Sequence, residues 1–233
     1  MTRFFVVLLT IIIFPVMLEA SYQPAGLFNE ISTNKKIVAL TFDDGPLPEV
    51  TEAILDILDE YNAKATFFLI GTNIIKYPYL VKKIYFAGHD VANHTYHHLR
   101  LDNFPGDKID YEMEETNKLI ENIIGVSPKH FRPPGGRFNN IILTYVEKNK
   151  LIPAGWSVNT SDFLYGTKTL TGERLERKVQ SVLNIVKRRL KPGSIVLMHN
   201  GNDVSIKALP KVLSYIKENG YTIKKLAEVT LKY

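Results

Sequence analysis

The chain has 233 residues, of which 29 are basic and 24 acidic, giving a formal charge of +5, and it contains no cysteine. A disulfide-stabilised scaffold is therefore excluded, and stability must come from burial of apolar side chains. The basic residues are scattered along the chain, so its charge predicts no nucleic-acid partner and only weakly favours an anionic polymer.

The first 20 residues have the pattern of an exported protein. Arg3 precedes an apolar run over residues 4–18, and Ala20 is a small residue suited to cleavage. This predicts a secretory signal peptide at residues 1–20. The run contains Pro15 and is shorter than the roughly 20 residues that span a bilayer, but its cleavage site is imperfect, so an uncleaved anchor formed by the same run stays open. We expect the protein to be secreted and to work outside the cytoplasm, in the cell envelope.

A short segment, residues 21–35, leads into a single domain predicted at residues 36–233. Apolar runs typical of buried strands alternate there with segments of helical period. The predicted strands are Ile37–Phe42, Ala65–Ile70, Val91–Asn93, His130–Arg132, Ile152–Trp156, Ile195–His199 and Tyr221–Ile223. The predicted helices are Val50–Tyr61, Ile74–Phe86, Asp110–Ile124, Gly172–Leu190 and Leu209–Gly220.

This alternation predicts an α/β fold with a parallel sheet and crossover helices. About seven strands favour a distorted (β/α) barrel over an open sheet. In such a fold, functional residues lie where strands end and loops begin, at the carboxyl edge of the sheet.

Unusual polar residues gather at these predicted strand ends. In chain order they are Asp43, Asp44, His94, His98, Arg132, Asp162 and His199. The adjacent pair Asp43 and Asp44, within TFDDGP, is also compatible with a simple turn, because Asp, Gly and Pro commonly end strands.

His94 and His98 are spaced so that one helical turn would place both imidazoles on one face, an arrangement suited to zinc. Two alternatives remain: both rings make ordinary hydrogen bonds, or His97 replaces His98. The pairing of two histidines with an aspartate pair at successive strand ends favours a metal site with three ligands and an open position.

Five short motifs together resemble the polysaccharide deacetylase family, the NodB-homology domain of carbohydrate esterase family four. They are TFDDGP at 41–46, NHTYHH at 93–98, RPPGG at 132–136, WSVNTSDF at 156–163 and LMH at 197–199. The resemblance runs from about Lys36 to the end of the chain and makes residues 36–233 the catalytic domain.

The resemblance implies a metal-dependent hydrolase. Asp44, His94 and His98 would hold a divalent metal, usually zinc, with cobalt, nickel and manganese as alternatives. Asp43 would be the general base and His199 the proton donor to the leaving amine.

Four further residues have implied supporting roles. Asp162 would orient and charge the proton donor, and Arg132 would stabilise a carboxylate of the site. The backbone N–H of Gly135 would contribute to the oxyanion site, and Leu197 would form a wall of the acetyl pocket. Leu197 is equally well explained as ordinary strand core.

The expected reaction is removal of the N-acetyl group from N-acetylglucosamine-type sugars in a glycan such as peptidoglycan or chitin oligomers, which releases acetate. We expect the protein to be a monomer. The alternatives are an O-deacetylase and an inactive glycan-binding protein on the same fold. The motifs depart from the family pattern at Gly135, where an aromatic is usual, at Ser157 and Asn159, where acidic residues are frequent, and at Phe163, which replaces the usual Trp.

Overall fold

The structure is a computed structural model and describes residues 27–163 and 170–230, so the predicted signal segment lies outside it. These two ranges contain eight strands and eight α-helices. The strands are β1 Ile37–Gly45, β2 Thr66–Leu69, β3 Asp90–Asn93, β4 His130–Phe131, β5 Ile152–Pro153, β6 Val158–Asn159, β7 Ile195–His199 and β8 Thr222–Lys224. The helices are α1 Val50–Glu60, α2 Gly71–Lys76, α3 Pro78–Phe86, α4 Gly106–Ile124, α5 Asn140–Lys148, α6 Gly172–Arg189, α7 Asp203–Glu218 and α8 Leu226–Thr230.

The strands form one parallel sheet with β1 near its middle. Seven strands follow the order β5-β4-β3-β2-β1-β7-β6, and β8 pairs with the first residues of β1. The sheet curls into a half-barrel carrying helices. The predicted α/β fold with a distorted barrel of about seven parallel strands is confirmed.

The core lies between the sheet and its covering helices. The β1 residues 38–42 are fully buried, as expected for the central strand of a parallel sheet. On α6, Val179, Val182 and Val186 recur at helical spacing and pack into the same cluster of buried apolar residues. Burying each such side chain stabilises the fold by about 1.5–3 kcal/mol.

The segment before β1 connects two distant strands. Phe28 forms a parallel bridge with Ala154, after β5, and Glu30 forms an antiparallel bridge with Ser194, just before β7. Gly193 has a φ of +83° and lies against Ile31, where a side chain would collide with the Ile31 carbonyl. The segment thereby fixes the backbone around Ala154, whose carbonyl oxygen accepts a hydrogen bond from Arg132.

Several elements differ from the sequence prediction. The predicted helix at residues 74–86 is two helices, α2 and α3, and α4 begins four residues before its predicted start. The predicted strand at residues 152–156 is split, with β5 at its start and β6 beyond its end. Helix α5 has an Asn139 cap and was not predicted. Helix α7 begins six residues before the predicted start, because Asn202 caps it and the helix continues through Pro210. Across the described residues, every helix is too short or too polar to cross a bilayer.

Candidate active site

The strand register brings the predicted polar residues to one edge of the sheet. Asp43 on β1 lies opposite His199 on β7, and Asn93 on β3 lies opposite Phe131 on β4. The residues that follow these strands are therefore neighbours in space although they are far apart in sequence.

The end of β1 has the sharp bend that two adjacent functional carboxylates require. Neighbouring residues on a regular strand point to opposite faces. Asp44 has a left-handed φ of +77°, and the pairing of β1 with β2 shifts between Phe42 and Gly45. The bend lies at Asp44 itself, one residue before the Gly45-Pro46 turn. The Asn73 side chain donates to the Asp44 carbonyl oxygen at 3.0 Å and supports the bend.

Asp44, His94 and His98 form a compact cluster of potential metal ligands. The Asp44 Oδ1 atom lies 3.3 Å from His94 Nε2 and 3.0 Å from His98 Nε2. One donor atom from each of the three residues lies within 4.8 Å of the others. A carboxylate oxygen with two imidazole nitrogens is a ligand set that zinc accepts, and three protein ligands leave a position for water or substrate. The donor chemistry therefore fits a divalent metal.

The His94 ring is oriented for a ligand role. Its Nδ1 lies 2.6 Å from the Arg132 carbonyl oxygen, so Nδ1–H donates to that oxygen and Nε2 is the nitrogen directed at Asp44. Burial alone would lower the pKa of His94, but the Asp43 and Asp44 carboxylates raise it above its usual value. Burial likewise opposes ionisation of Asp44, and contacts with His94 and His98 nevertheless bring its pKa well below the usual range.

His94 and His98 meet through a loop and not through the helical turn that their spacing suggested. The residues after β3 are irregular, and both Thr95 and His98 have left-handed φ angles, of +68° and +59°. The alternative ligand His97 lies outside the cluster, because its Nδ1 pairs with Glu112 Oε1 at 2.7 Å.

Asp43 is paired with Arg132. The Arg132 Nη1 atom donates to Asp43 Oδ1 at 2.6 Å and to Thr41 Oγ1 at 3.0 Å. Asp43 Oδ2 faces the cluster, 3.8 Å from His94 Nε2. One carboxylate oxygen is thus held by the guanidinium while the other lies beside the potential metal ligands.

The Arg132 side chain is completely buried, and each of its three nitrogens donates at least one hydrogen bond. Its Nε and Nη2 atoms donate to the carbonyl oxygens of Ala154 and Gly155 at 3.2 and 2.8 Å. The guanidinium also lies 4.1 Å from the centre of the Phe68 ring and 5.5 Å from that of Trp156. Burial lowers the pKa of Arg132, and the Asp43 carboxylate opposes that shift. Such a guanidinium fixes the position of Asp43.

His199 and Asp162 form a second charged pair at the same edge. His199 Nδ1 lies 2.7 Å from Asp162 Oδ1, and the His199 backbone N–H donates to Asp162 Oδ2 at 2.8 Å. The Ser205 hydroxyl donates to the same Oδ2 at 2.6 Å. Burial alone would lower the pKa of His199, but Asp162 raises it above the usual value. Asp162 thus binds Nδ1 of the imidazole and favours its protonated form.

The remaining predicted residues lie around these pairs. Leu197 is buried in β7, and Gly135 has a left-handed φ of +72° in a short 3₁₀ segment. A side chain at Gly135 would enter open space, with Arg100 Nε 4.0 Å from the position of its Cβ. The Phe163 ring lies 4.7 Å from the His199 ring, centre to centre.

Two departures from the family motifs have structural tasks. The Ser157 hydroxyl accepts the Ile195 backbone N–H at 3.2 Å, and the Asn159 side chain accepts the Ser161 N–H at 2.8 Å. These contacts tie β6 to β7 and shape the turn that leads to Asp162.

Comparison with known proteins identifies the family. Residues 30–153 match the family described as polysaccharide deacetylase. The chain belongs to the polysaccharide deacetylase family. The resemblance that the five motifs carried is thereby confirmed.

Curated relatives within the family act on glycans. The chain is 35% identical over 221 residues to a peptidoglycan-N-acetylglucosamine deacetylase of Bacillus cereus, covering 93% of this chain and 99% of that one. It is 36% identical over 177 residues to a chitooligosaccharide deacetylase of Azorhizobium caulinodans, covering 76% of this chain and 79% of that one.

A solved structure shows that polysaccharide deacetylase membership alone does not decide activity. A CE4 family pseudoenzyme from Bacillus anthracis superposes with a TM-score of 0.79 at 29% identity, covering 89% of this chain and 69% of that one. A mutant of that pseudoenzyme with restored enzymatic activity superposes equally well. The individual side chains of the site therefore carry the functional argument.

Ser205 and Glu112 are among the residues around the site that sequence reasoning missed. Ser205 binds Asp162, and its only sequence signal is its place three residues after the helix cap Asn202. Glu112 binds His97 from α4, where it is one of three acidic residues in the run EMEE and has no distinguishing signal.

Proposed function

We propose that the chain is a metal-dependent deacetylase that hydrolyses the N-acetyl group of N-acetylglucosamine-type sugars in a glycan and releases acetate. The observation that carries this proposal is the convergence of three groups at one sheet edge. They are the ligand cluster of Asp44, His94 and His98, the Asp43–Arg132 pair, and the His199–Asp162 pair.

The ligand cluster would hold a divalent metal, with zinc the best match to its nitrogen and oxygen donors. A metal at such a position supplies Lewis-acid chemistry, acidifying water and polarising a carbonyl oxygen. Cobalt, nickel and manganese share enough of these ligand preferences to be included in any metal survey.

Asp43 is placed to accept the proton of the attacking water. Its Oδ1 is held by Arg132, and its Oδ2 lies on the side of His94 Nε2. A carboxylate whose position is fixed in this way serves as a general base without reorganising during the reaction.

His199 is placed to donate a proton to the leaving amine. An amine is a poor leaving group unless it is protonated, so amide hydrolysis requires an acid on the side of the nitrogen. The pairing with Asp162 raises the pKa of His199 above its usual value, which favours the protonated form that can donate. The Gly135 N–H would contribute to the oxyanion site, and Leu197 would line the acetyl pocket.

We infer the substrate class from the curated relatives. We infer the place of action from the amino-acid sequence. The curated relatives include deacetylases of peptidoglycan N-acetylglucosamine and of chitooligosaccharides. A signal peptide at residues 1–20 followed by a catalytic domain at residues 36–233 would bring the enzyme to the cell envelope, where peptidoglycan lies. We place peptidoglycan first and chitin oligomers second, with a monomer as the working form.

A second candidate is an inactive glycan-binding protein, favoured by the similarity to the Bacillus anthracis pseudoenzyme and by the missing side chain at Gly135. The Asp43–Arg132 and His199–Asp162 pairs weigh against a binding protein, because binding alone requires neither a general base nor a general acid. An O-deacetylase would use the same groups, although an alkoxide leaving group depends less on His199.

The test is acetate release by zinc-loaded protein from peptidoglycan, chitin oligomers and an O-acetylated xylan. We expect release from an N-acetylated glycan, and its loss in Asp43→Asn. The matched control is Asp56→Asn, which makes the same change on the exposed face of α1. Release only from the xylan would favour the O-deacetylase, and glycan binding without release from any substrate would favour the binding protein.

A further inference from the structure

Glu112 is a charged residue buried beside the site without belonging to it. It lies on α4 and has no solvent exposure. A buried carboxylate is costly unless it is paired and hydrogen-bonded, so its partners show what it stabilises.

The partners of Glu112 belong mainly to the loop between His94 and His98. Its Oε2 accepts the backbone N–H groups of Tyr96 and His97 at 2.9 and 2.8 Å. Its Oε1 lies 2.7 Å from His97 Nδ1 and 3.5 Å from Lys108 Nζ. Three of these four contacts hold the two residues that directly precede His98.

The same loop is held from the opposite side by the start of α2. The backbone N–H groups of Gly71 and Thr72 donate to the carbonyl oxygens of Thr95 and Tyr96 at 3.0 and 2.9 Å. Gly71 lies so close to Tyr96 that a side chain at Gly71 would collide with the Tyr96 ring. The N–H groups of the loop thus face the Glu112 carboxylate, and its carbonyl groups face α2.

The contacts from Glu112 and from the start of α2 together form a clamp on this loop. The clamp compensates for unfavourable backbone angles in the loop. Thr95 and His98 have left-handed φ angles of +68° and +59°. A β-branched residue such as Thr95 rarely adopts this conformation, and it persists only where surrounding contacts impose it. Without the clamp, the loop would relax and His98 would move away from Asp44.

We propose that Glu112 is a positioning residue, which grips the Tyr96 and His97 backbone and so fixes His98 for metal binding. The inference rests on the proposed function, because it takes the cluster of Asp44, His94 and His98 as the metal site. It also assigns His97 a role: its imidazole is the third point at which Glu112 holds the loop.

The test compares zinc affinity across three changes at Glu112, measured by competition with a chromophoric chelator. Glu112→Gln keeps the length and an acceptor oxygen, Glu112→Asp keeps the charge but is shorter, and Glu112→Ala removes both. We expect Gln to stay within a few-fold of the wild type. Asp and Ala should weaken zinc binding by about 10- to 100-fold, the usual cost of losing a group that orients a metal ligand.

The controls separate positioning from charge and from loss of folding. The matched changes at Glu114, an exposed carboxylate on the same helix, should leave zinc affinity unchanged. The visible spectrum of the cobalt-loaded protein should change for Glu112→Asp, reporting altered ligand geometry. If Glu112→Ala does not fold, the Gln and Asp variants decide the question.

The outcomes also distinguish this inference from the proposed function. Zinc affinity that falls in Gln but not in Asp would show that charge matters and would overturn the positioning role, as would unchanged affinity in all three variants. If Asp44→Asn binds zinc as tightly as the wild type, the metal site itself is wrong and the proposed function fails with it.

Discussion

Four largely buried histidines divide between the two ends of the parallel sheet. His94 and His199 lie at the carboxyl ends of β3 and β7, whereas His89 and His130 lie at the amino ends of β3 and β4. The first two contact carboxylates, of Asp43 and Asp44 in one case and of Asp162 in the other, and their pKa values are raised.

The amino-end histidines make different contacts. His89 Nδ1 accepts the Ala65 backbone N–H, and His130 Nε2 pairs with the Thr230 hydroxyl at 2.9 Å. Burial, with smaller effects from nearby cations, lowers the pKa of each to about 3. At the amino end burial thus favours neutral imidazoles, whereas at the carboxyl end the carboxylate partners outweigh burial and favour the protonated form.

The largest effect on turnover within this comparison is expected at His199. Replacing it by Gln removes the proposed proton donor while leaving the ligand cluster in place. We expect kcat to fall by about 10²- to 10⁴-fold, the usual contribution of general acid catalysis, with zinc affinity unchanged. Steady-state acetate release and a zinc titration check both statements, and a variant with wild-type kcat would remove His199 from the mechanism.

The Arg132–Asp43 pair should matter for stability as well. Arg132→Met leaves a buried carboxylate unpaired, which we expect to cost about 3–5 kcal/mol in the free energy of unfolding. Urea denaturation of the metal-free protein measures this. Arg137→Met, at a largely exposed arginine five residues away, should change stability by less than about 0.5 kcal/mol.

A double variant sharpens this prediction. Adding Asp43→Asn to Arg132→Met removes the uncompensated charge and should recover part of the lost stability. Equal losses in the single and double variants would show that the cost comes from packing and not from the ion pair.

The two ends of the sheet should respond oppositely to pH. For His89 and His130 the folded pKa of about 3 lies below the ordinary 6.5, so the unfolded chain binds protons that the folded chain does not. Their contribution to stability is present above pH 6.5 and is lost as the pH falls toward 3, by about 1.4 kcal/mol per pH unit for each histidine. His130→Gln should flatten this slope in unfolding experiments between pH 4 and about 6.5.

For His199 the sign is reversed. Its raised pKa gives a stabilising contribution that is complete below the ordinary value of 6.5 and is lost as the pH rises through the folded pKa. Activity should fall over the same pH range, as the pH rises through the folded pKa of His199 and the proton donor is lost. Asp162→Asn should move that fall in kcat to lower pH, and an unchanged profile would show that Asp162 does not tune His199.

Much of this site could be predicted because strand ends are visible in sequence. The predicted strands end at or directly before Asp43, His94, Arg132 and His199, and parallel strands bring such residues to one edge. The bend at Asp44 could not be placed, because a non-glycine residue with positive φ has no strong sequence signal.

Glu112 shows a second limit of the sequence. Within a predicted helix, its side chain looks like the neighbouring surface acids, and its role depends on which face of α4 meets the His94–His98 loop. That contact is set by tertiary packing. The short strand β6 was missed for a related reason, since two residues carry no detectable period.

The most direct test of the metal-centred account is acetate release from peptidoglycan after removal of metal with a chelator and readdition of zinc. We expect chelation to abolish release, zinc to restore it in the wild type, and zinc to fail to restore it in Asp44→Asn. Release that survives complete chelation, or that zinc restores in Asp44→Asn, would contradict the assignment of Asp44, His94 and His98 as the catalytic metal centre.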